Sequence, residues 1–112
     1  RLLDEVTGAI VAEVGAGRTS VRLSPNGETQ GCDDSDPVAL FTAAAAALQR
    51  HDIAFLELRE QKDFGDFGKT DVRRTSPDIR KVFTNPLVLN QEYRLASASE
   101  DVGSGLADAI SF

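Results

Sequence analysis

The sequence predicts an α/β fold built on a parallel sheet, and three observations support this prediction. Helical and strand patterns alternate as α-β-α-β-α-β-α-β, an order that requires crossover connections between parallel strands. The predicted strand at residues 86–90 is apolar, as expected for a strand buried on both faces. The composition, 41% hydrophobic and 27% charged among 112 residues, suits one small globular domain. A four-stranded open sheet and half of a (β/α)₈ barrel both satisfy this pattern, since a whole barrel takes roughly 250 residues.

Apolar residues at helical spacing predict the first two helices. The first helix ends at Gly15 and Gly17. Its apolar stripe comprises Leu2, Leu3, Val6, Ala9, Ile10 and Val14. Asp36 and Pro37 begin the second helix, because a carboxylate can cap the N-terminus and proline suits the first helical position. Its stripe comprises Leu40, Phe41, Ala44, Ala47 and Leu48.

Two shorter helices are predicted in the second half of the chain. Ser76 and Pro77 begin the third helix. Its apolar anchors are Ile79, Val82 and Phe83. The fourth helix covers about residues 95–102 and ends at Gly103 and Gly105.

The strands are predicted at residues 19–23, 54–58, 86–90 and 108–112. In the first strand Val21 and Leu23 point to one side, because side chains alternate along a strand. The other side carries Ser20, Arg22 and Ser24. Pro25 is predicted to end the strand because it has no N–H, and Asn26-Gly27 predicts a tight turn.

Charge and composition argue against several classes of function. The net charge is −6 without a basic stripe, so nucleic acid is not expected as a partner. No apolar run approaches the roughly 20 residues that span a bilayer, so no membrane partner is expected. Cys32 is the only cysteine, which excludes an intrachain disulfide and a thiolate metal cage and fits a reducing cytoplasm. No metal site is expected at Asp33, Asp34 and Asp36, which lack the glycine and distal glutamate of a calcium loop.

Arg22 is the first candidate site residue. It lies one residue before the end of a predicted strand and ahead of a long polar loop. Chemistry in α/β folds gathers at the carboxyl ends of strands. On the residues alone, a structural ion pair with Glu57 on the neighbouring strand is the favoured interpretation.

Other polar and aromatic side chains have structural interpretations. We expect His51 to be a solvated cap at a helix end and Tyr93 to pack against the fourth helix. A mixed charge run, of the kind that usually forms solvated surface, comprises Lys69, Asp71, Arg73 and Arg74. Phe64 and Phe67 either line a substrate pocket or anchor their own loop.

Four segments of the sequence resemble the old yellow enzyme family of FMN-dependent ene-reductases, and most closely its bacterial xenobiotic and N-ethylmaleimide reductase branch. They are VRLSP at 21–25 with Gln30, AFLELRE at 54–60, PLVLNQEY at 86–93 and GLADAISF at 105–112. The segments follow the family's order with matching spacings and extend over nearly the whole chain. The resemblance implies strands five to eight of the family's barrel, so that residues 1–112 form half of a (β/α)₈ TIM barrel, a partial FMN-binding domain.

The resemblance also implies a reaction and its cofactors. In the family, NAD(P)H delivers hydride to FMN, and the flavin passes it to a small-molecule substrate, an activated alkene or a nitro compound. Arg22 takes the position beside the pyrimidine edge of the flavin. Gln30 matches a residue of the loop on the substrate side. Asn90 and Gln91 match the turn after strand seven, whose backbone N–H groups bind the FMN phosphate.

The family pattern also implies what these residues lack. The substrate-anchoring His/Asn or His/His pair and the proton-donating tyrosine are expected upstream of Arg1, and a Gly-Arg pair of the phosphate site is expected after Phe112. We therefore expect a fragment without catalytic residues of its own and without activity in isolation. The Gln91-Glu92 pair stands where many members have small residues. The alternative is a stand-alone, non-catalytic half-barrel that binds a phosphate ligand or assembles as a homodimer.

An isolated half-barrel would also expose the inner face of its sheet. We expect that face to carry apolar residues that opposite strands would otherwise cover. They are Phe55, Leu87 or Leu89, and Ile110 or Phe112.

Overall fold

The computed structural model describes residues 1–27, 34–60 and 72–112. In chain order their elements are α1 (Leu2–Val14), a 3₁₀ turn (Ala16–Arg18), β1 (Ser20–Asn26), α2 (Pro37–Arg50), β2 (Phe55–Glu60), α3 (Ser76–Val82), β3 (Leu87–Asn90), α4 (Leu95–Gly103) and β4 (Ala109–Ser111). The strands form one parallel sheet in the order β1-β2-β3-β4. The predicted α/β fold, with parallel strands adjacent in chain order, is confirmed.

Strand β1 is longer than the sequence predicts. It continues through Pro25 to Asn26, which pairs with Glu60 after a shift of register that begins at Leu23. Within the described sheet β1 lies at the edge, where a residue without an N–H is tolerated because one side of the strand needs no ladder partner. The prediction that Pro25 ends the strand is therefore wrong.

Alternate residues of the central strands pack under the helices. Leu56 and Leu58 on β2, and Leu87 and Leu89 on β3, are buried and belong to one hydrophobic core. The helices α2, α3 and α4 contribute Ala45, Leu48, Ile79 and Ala98 to it. Each buried leucine side chain stabilises the fold by about 1.5–3 kcal/mol. The core thus lies between one face of the sheet and the helices that cover it.

The apolar stripe of α1 divides into two parts. Leu3 packs against the core, together with Val11, which the predicted stripe did not include. The remaining large members are exposed, and they are Leu2, Val6, Ile10 and Val14. Helical periodicity predicts the helix itself, but it does not predict which edge of so broad a stripe meets the core.

His51 ends α2 as predicted, but its side chain is not solvated. It is 23% exposed, and its Nε2 lies 2.8 Å from Oδ1 of Asp4 on α1. A Cβ on Gly8 would come within 3.1 Å of His51 Cε1, so the glycine leaves room for the imidazole between the helices. The hydrogen bond from His51 lowers the pKa of Asp4. The expectation of a solvated cap is wrong, and the residue joins α1 to α2 instead.

Candidate functional site

The face of the sheet opposite the core becomes polar toward the carboxyl ends of the strands. The strand register places one row of residues side by side: Arg22, Glu57, Val88 and Ala109. The next row on the same face is Arg59, Asn90 and Ser111. We call this surface the open face. Its polar residues are concentrated where α/β folds bind ligands.

Several expectations for the inner face are wrong. Leu87 and Leu89 lie on the helix-covered face, and Ile110 also packs against the core. Val88 occupies the open face and is only half-buried, so β3 is not buried on both faces within the described structure. An uninterrupted apolar run contains no alternation, and the sequence therefore could not indicate which residues face which side.

Arg22 contacts two partners on the open face. Its Nη2 donates a hydrogen bond to Oδ1 of Asn90 at 2.6 Å and lies 3.6 Å from Oε1 of Glu57. The Arg22 side chain is 51% exposed, whereas the Glu57 side chain is mostly covered. The guanidinium therefore reaches across β2 toward β3, and the contact with Glu57 that the sequence suggested is present.

Asn90 and Gln91 are held from neighbouring strands. The Asn90 Nδ2 donates to the backbone oxygen of Ser111 on β4 at 3.0 Å. The Gln91 Oε1 accepts a hydrogen bond from Nε of Arg59 on β2 at 2.9 Å. The structure thus brings Arg22 and Asn90 into direct contact and places Gln91 next to them in the chain. Gln30 lies outside the described residues, as do Cys32, Phe64 and Phe67.

The backbone directly after β3 is left-handed at two residues that are not glycine. Gln91 has φ 95° and Glu92 has φ 54°. Each such conformation costs an L-residue about 1–2 kcal/mol. Successive backbone N–H groups in a turn conformation can form a concave site that binds anions. We call these two residues the left-handed turn.

These features fit a flavin mononucleotide. The cation Arg22 and the amide of Asn90 lie on the open face, and the left-handed turn follows Asn90 at the carboxyl edge of the sheet. Arg22 suits the electron-rich pyrimidine edge of an isoalloxazine ring, because guanidinium N–H groups form a planar set of donors. The turn suits a phosphate. The residues that the family resemblance assigns to FMN are therefore compatible with it.

A buried polar cluster lies behind the left-handed turn, and the sequence did not predict it. The Tyr93 hydroxyl donates to Oδ2 of Asp101 at 2.6 Å. Arg74 Nη2 donates to the Tyr93 hydroxyl at 2.9 Å and to Asp101 Oδ2 at 2.8 Å. Arg74 Nε lies 3.5 Å from Oε2 of Glu60, which is itself buried. Tyr93 packs against α4 as predicted, but the expectation that Arg74 belongs to a solvated surface is wrong.

One signal could have found this cluster. Asp101 lies three residues after Ala98, which places both on the same side of α4. An acid on the apolar side of a helix needs a buried partner. Arg74 is that partner, although it is far from Asp101 in the sequence.

The cluster changes the acidity of its members. Burial, together with the hydrogen bond to Asp101, raises the pKa of Tyr93 far above its ordinary value, so the hydroxyl stays protonated. Burial is the largest single influence on Arg74 and opposes its positive charge, but the hydrogen bond to Asp101 and the electrostatic attraction of Tyr93, Glu60 and Asp101 together outweigh it, so the pKa of Arg74 is raised. The Arg74 guanidinium therefore stays charged and the Tyr93 hydroxyl stays neutral.

Two further features are absent from the residues that the structure describes. Ranges 1–27, 34–60 and 72–112 contain no group of three or more His, Cys, Asp or Glu side chains that could hold a metal ion. Within the same ranges, no helix combines the length and the apolar character needed to cross a membrane.

Two relatives with similar sequences are named as reductases. It is 31% identical to 12-oxophytodienoate reductase 1 of Oryza sativa subsp. japonica over 113 residues, which cover 100% of this chain and 30% of that protein. It is 30% identical to a "probable flavin mononucleotide-dependent alkene reductase" of Leishmania infantum, covering 100% of this chain and 29% of that protein. No family model matches the chain.

The fold is similar to solved structures of the same kind. An old yellow enzyme homologue from Zymomonas mobilis superposes with a TM-score of 0.97 and 55% identity, covering 100% of this chain and 32% of that one. Morphinone reductase superposes with a TM-score of 0.84 and 28% identity, covering 96% of this chain and 29% of that one. The chain thus spans less than a third of the length of these proteins.

Proposed function

Since the resemblance to the old yellow enzyme family is confirmed along the whole chain, we propose that residues 1–112 form strands five to eight of an FMN-binding (β/α)₈ barrel. The barrel would belong to an NAD(P)H-dependent oxidoreductase of the cytoplasm. One observation supports the placement most: Arg22, Asn90 and the left-handed turn lie together at the carboxyl end of the open face.

In this proposal Arg22 binds the pyrimidine edge of the flavin. A fixed guanidinium beside N1 and the C2 carbonyl stabilises the negative charge that gathers there on reduction. Glu57 and Asn90 hold the Arg22 side chain across the sheet through the contacts at 3.6 and 2.6 Å. The structural ion pair and the flavin role are therefore compatible, because the pair orients the cation.

Asn90 and Gln91 bind the phosphate end of the cofactor. The backbone N–H groups of the left-handed turn donate to the phosphate oxygens, as in other anion-binding turns. Barrels of this class often bind phosphate after strands seven and eight. Backbone donors require no particular side chain, so Gln91 can stand where relatives have smaller residues. Gln30 remains our proposal for the loop on the substrate side.

The bound FMN would supply hydride transfer from NAD(P)H to an activated alkene or a nitro compound. Two relatives support this proposal: one is named an alkene reductase, which agrees with an alkene substrate, and morphinone reductase has been solved in complex with tetrahydroNAD, which agrees with a nicotinamide reductant. The described residues contribute binding and orientation. The substrate-anchoring pair and the proton donor belong to other parts of the barrel.

A stand-alone half-barrel is the second candidate. Strands β1 and β4 form the two edges of the described sheet, and such edges can pair with a second copy. Such a half-barrel would bind a phosphate ligand or assemble as a dimer, and it would catalyse no reaction. A homodimer of the isolated 112 residues that lacks flavin would favour it.

A graft tests the proposal. These 112 residues would replace the matching segment of the Zymomonas mobilis homologue, which is 55% identical, to give what we call the grafted enzyme. We expect it to bind FMN and to reduce an activated alkene with NADPH. A grafted enzyme that folds, judged by circular dichroism and by a single species in light scattering, but binds no FMN would contradict the proposal.

A further inference from the structure

The left-handed turn is unfavourable on its own and depends on its surroundings. Gln91 and Glu92 both have side chains that crowd the backbone at positive φ. Two such residues in succession persist only where neighbouring structure holds them. Contacts with neighbouring residues must therefore keep this turn in its conformation.

One contact comes from strand β2. Arg59 pairs in register with Asn90, the last residue of β3, and its Nε donates to Oε1 of Gln91 at 2.9 Å. The Arg59 side chain is half-buried, and the strand that carries it is central in the described sheet. A bond from a rigid strand fixes the side chain of Gln91, and with it the backbone at the first position of the turn.

The second contact acts on Tyr93, the residue directly after the turn. The Tyr93 ring is buried, and its hydroxyl is shared between Asp101 at 2.6 Å and Arg74 at 2.9 Å. Asp101 belongs to α4, so the bond ties the end of the turn to the helix that follows it. Hydrogen bonds therefore hold the turn in place at both ends.

Glu60 fixes the arginine of this second contact. Its Oε1 accepts hydrogen bonds from the backbone N–H groups of Thr75 and Ser76 at 2.6 and 3.0 Å, directly after Arg74. Its Oε2 lies 3.5 Å from Arg74 Nε. The buried carboxylate therefore attaches the start of α3 to the end of β2 and orients Arg74 toward Tyr93.

We propose that Arg59, acting through Gln91, and the Arg74–Asp101 pair, acting through Tyr93, are positioning residues that hold the left-handed turn in its phosphate-binding conformation. The inference rests on the proposed function, in which the turn binds the phosphate of FMN. In this proposal none of these residues needs to contact the cofactor. They act through the backbone, so their loss affects recognition of the phosphate and leaves recognition of the flavin ring unchanged.

The test compares FMN with riboflavin, which has the same ring system but no phosphate. Dissociation constants for both are measured by flavin fluorescence in the grafted enzyme and in its Arg59→Met and Tyr93→Phe variants. Methionine keeps the apolar stem and phenylalanine keeps the ring. We expect FMN to bind about tenfold more weakly in each variant, as for the loss of one hydrogen bond near a charged ligand, with riboflavin unchanged. Arg73→Met, at an exposed arginine that pairs with Asp78, is the control and should change neither constant.

A substitution by glycine tests whether Arg59 acts through the conformation of Gln91. Gln91→Gly removes the strain at the first position, because glycine adopts positive φ without crowding. We expect Arg59→Met to have no further effect in that background. Equal weakening of FMN and riboflavin, or no weakening in either variant, would overturn the proposal. A parent grafted enzyme that binds FMN no better than riboflavin would instead contradict the placement of the phosphate itself, so the two failures are distinguishable.

Discussion

The two faces of the sheet are built from alternate residues of the same strands, yet different interactions stabilise them. The helix-covered face carries Leu56, Leu58, Leu87 and Leu89, which are buried in one continuous core. On the open face Arg22 contacts Glu57 and Asn90, and Arg59 donates a hydrogen bond to Gln91, which follows β3. Non-directional burial holds the first face together, whereas the second depends on individual donors and acceptors. Changes on the first face should therefore alter stability, and changes on the second should alter ligand binding.

The largest effect is expected on the helix-covered face. Leu58→Ala in the grafted enzyme should lower the free energy of unfolding by about 2–5 kcal/mol, because it leaves a cavity in a fully buried site. Urea unfolding followed by circular dichroism measures this change. The matched control is Ser24→Ala, at an exposed position of β1, which should change stability by no more than about 0.5 kcal/mol. Similar losses in the free energy of unfolding for the two variants would contradict the conclusion that the helix-covered face provides the stability.

A smaller effect is expected in the buried polar cluster. Asp101→Asn removes the charged acceptor of Tyr93 and Arg74 and should destabilise the grafted enzyme by about 1–3 kcal/mol. The loss is smaller than for Leu58→Ala, because Arg74 is about a third exposed and water can replace part of the interaction. Urea unfolding again provides the measurement. A change within the range of Arg73→Met would show that the cluster does not stabilise the fold.

The ionisation of Tyr93 tests the same cluster by spectroscopy. It is the only tyrosine and tryptophan is absent, so tyrosinate absorbance of the 112-residue chain reports this side chain alone. Its pKa is raised from 10.0 in the folded state, so its contribution to stability is complete below pH 10 and is lost as the pH rises through the folded value. We expect ionisation well above pH 10 in buffer and near pH 10 in urea. Ionisation near pH 10 in a chain that circular dichroism shows to be folded would contradict the burial of Tyr93.

The smallest effect is expected between α1 and α2, away from both faces. Gly8→Ala gains helix propensity but places a Cβ 3.1 Å from His51 Cε1, so we expect a net change within about 1 kcal/mol. In a His51→Ala background the crowding disappears, and the same substitution should stabilise by roughly 0.5–1 kcal/mol. Thermal unfolding of the grafted enzyme, its two single variants and the double variant completes the cycle. Equal effects of Gly8→Ala in both backgrounds would show that the imidazole does not constrain the glycine.

Much of the fold was predictable from the sequence because it depends on local patterns. Asp36 caps α2 through the backbone N–H of Ala39, as its position before Pro37 predicts. The alternation of helices and strands likewise predicted the parallel order of the sheet. Pro25 was misread because the rule against proline in strands depends on whether the strand is central or at an edge. That property belongs to the sheet and cannot be seen within one segment.

The site was predictable only in part, because its geometry depends on residues far apart in the chain. The family resemblance pointed to Arg22 and Asn90, but their contact across β2 requires the strand register. No local signal predicted positive φ at Gln91 and Glu92, since such turns are normally recognised by glycine. Arg74 stood in a charge run that resembled solvated surface. Its partial burial follows from Asp101 and Glu60, which approach it only in the folded chain.

The midpoint potential of bound FMN tests the central claim, that the open face binds the flavin through Arg22. Arg22→Met in the grafted enzyme removes the cation that stabilises the reduced flavin, so the potential should become more negative by at least about 30 mV, or 1.4 kcal/mol for two electrons. Arg22→Lys should give an intermediate shift, because it keeps the charge but loses the planar donors. Arg18→Met, at an exposed arginine just before β1, should leave the potential unchanged. A potential unchanged by Arg22→Met while FMN remains bound would contradict the account.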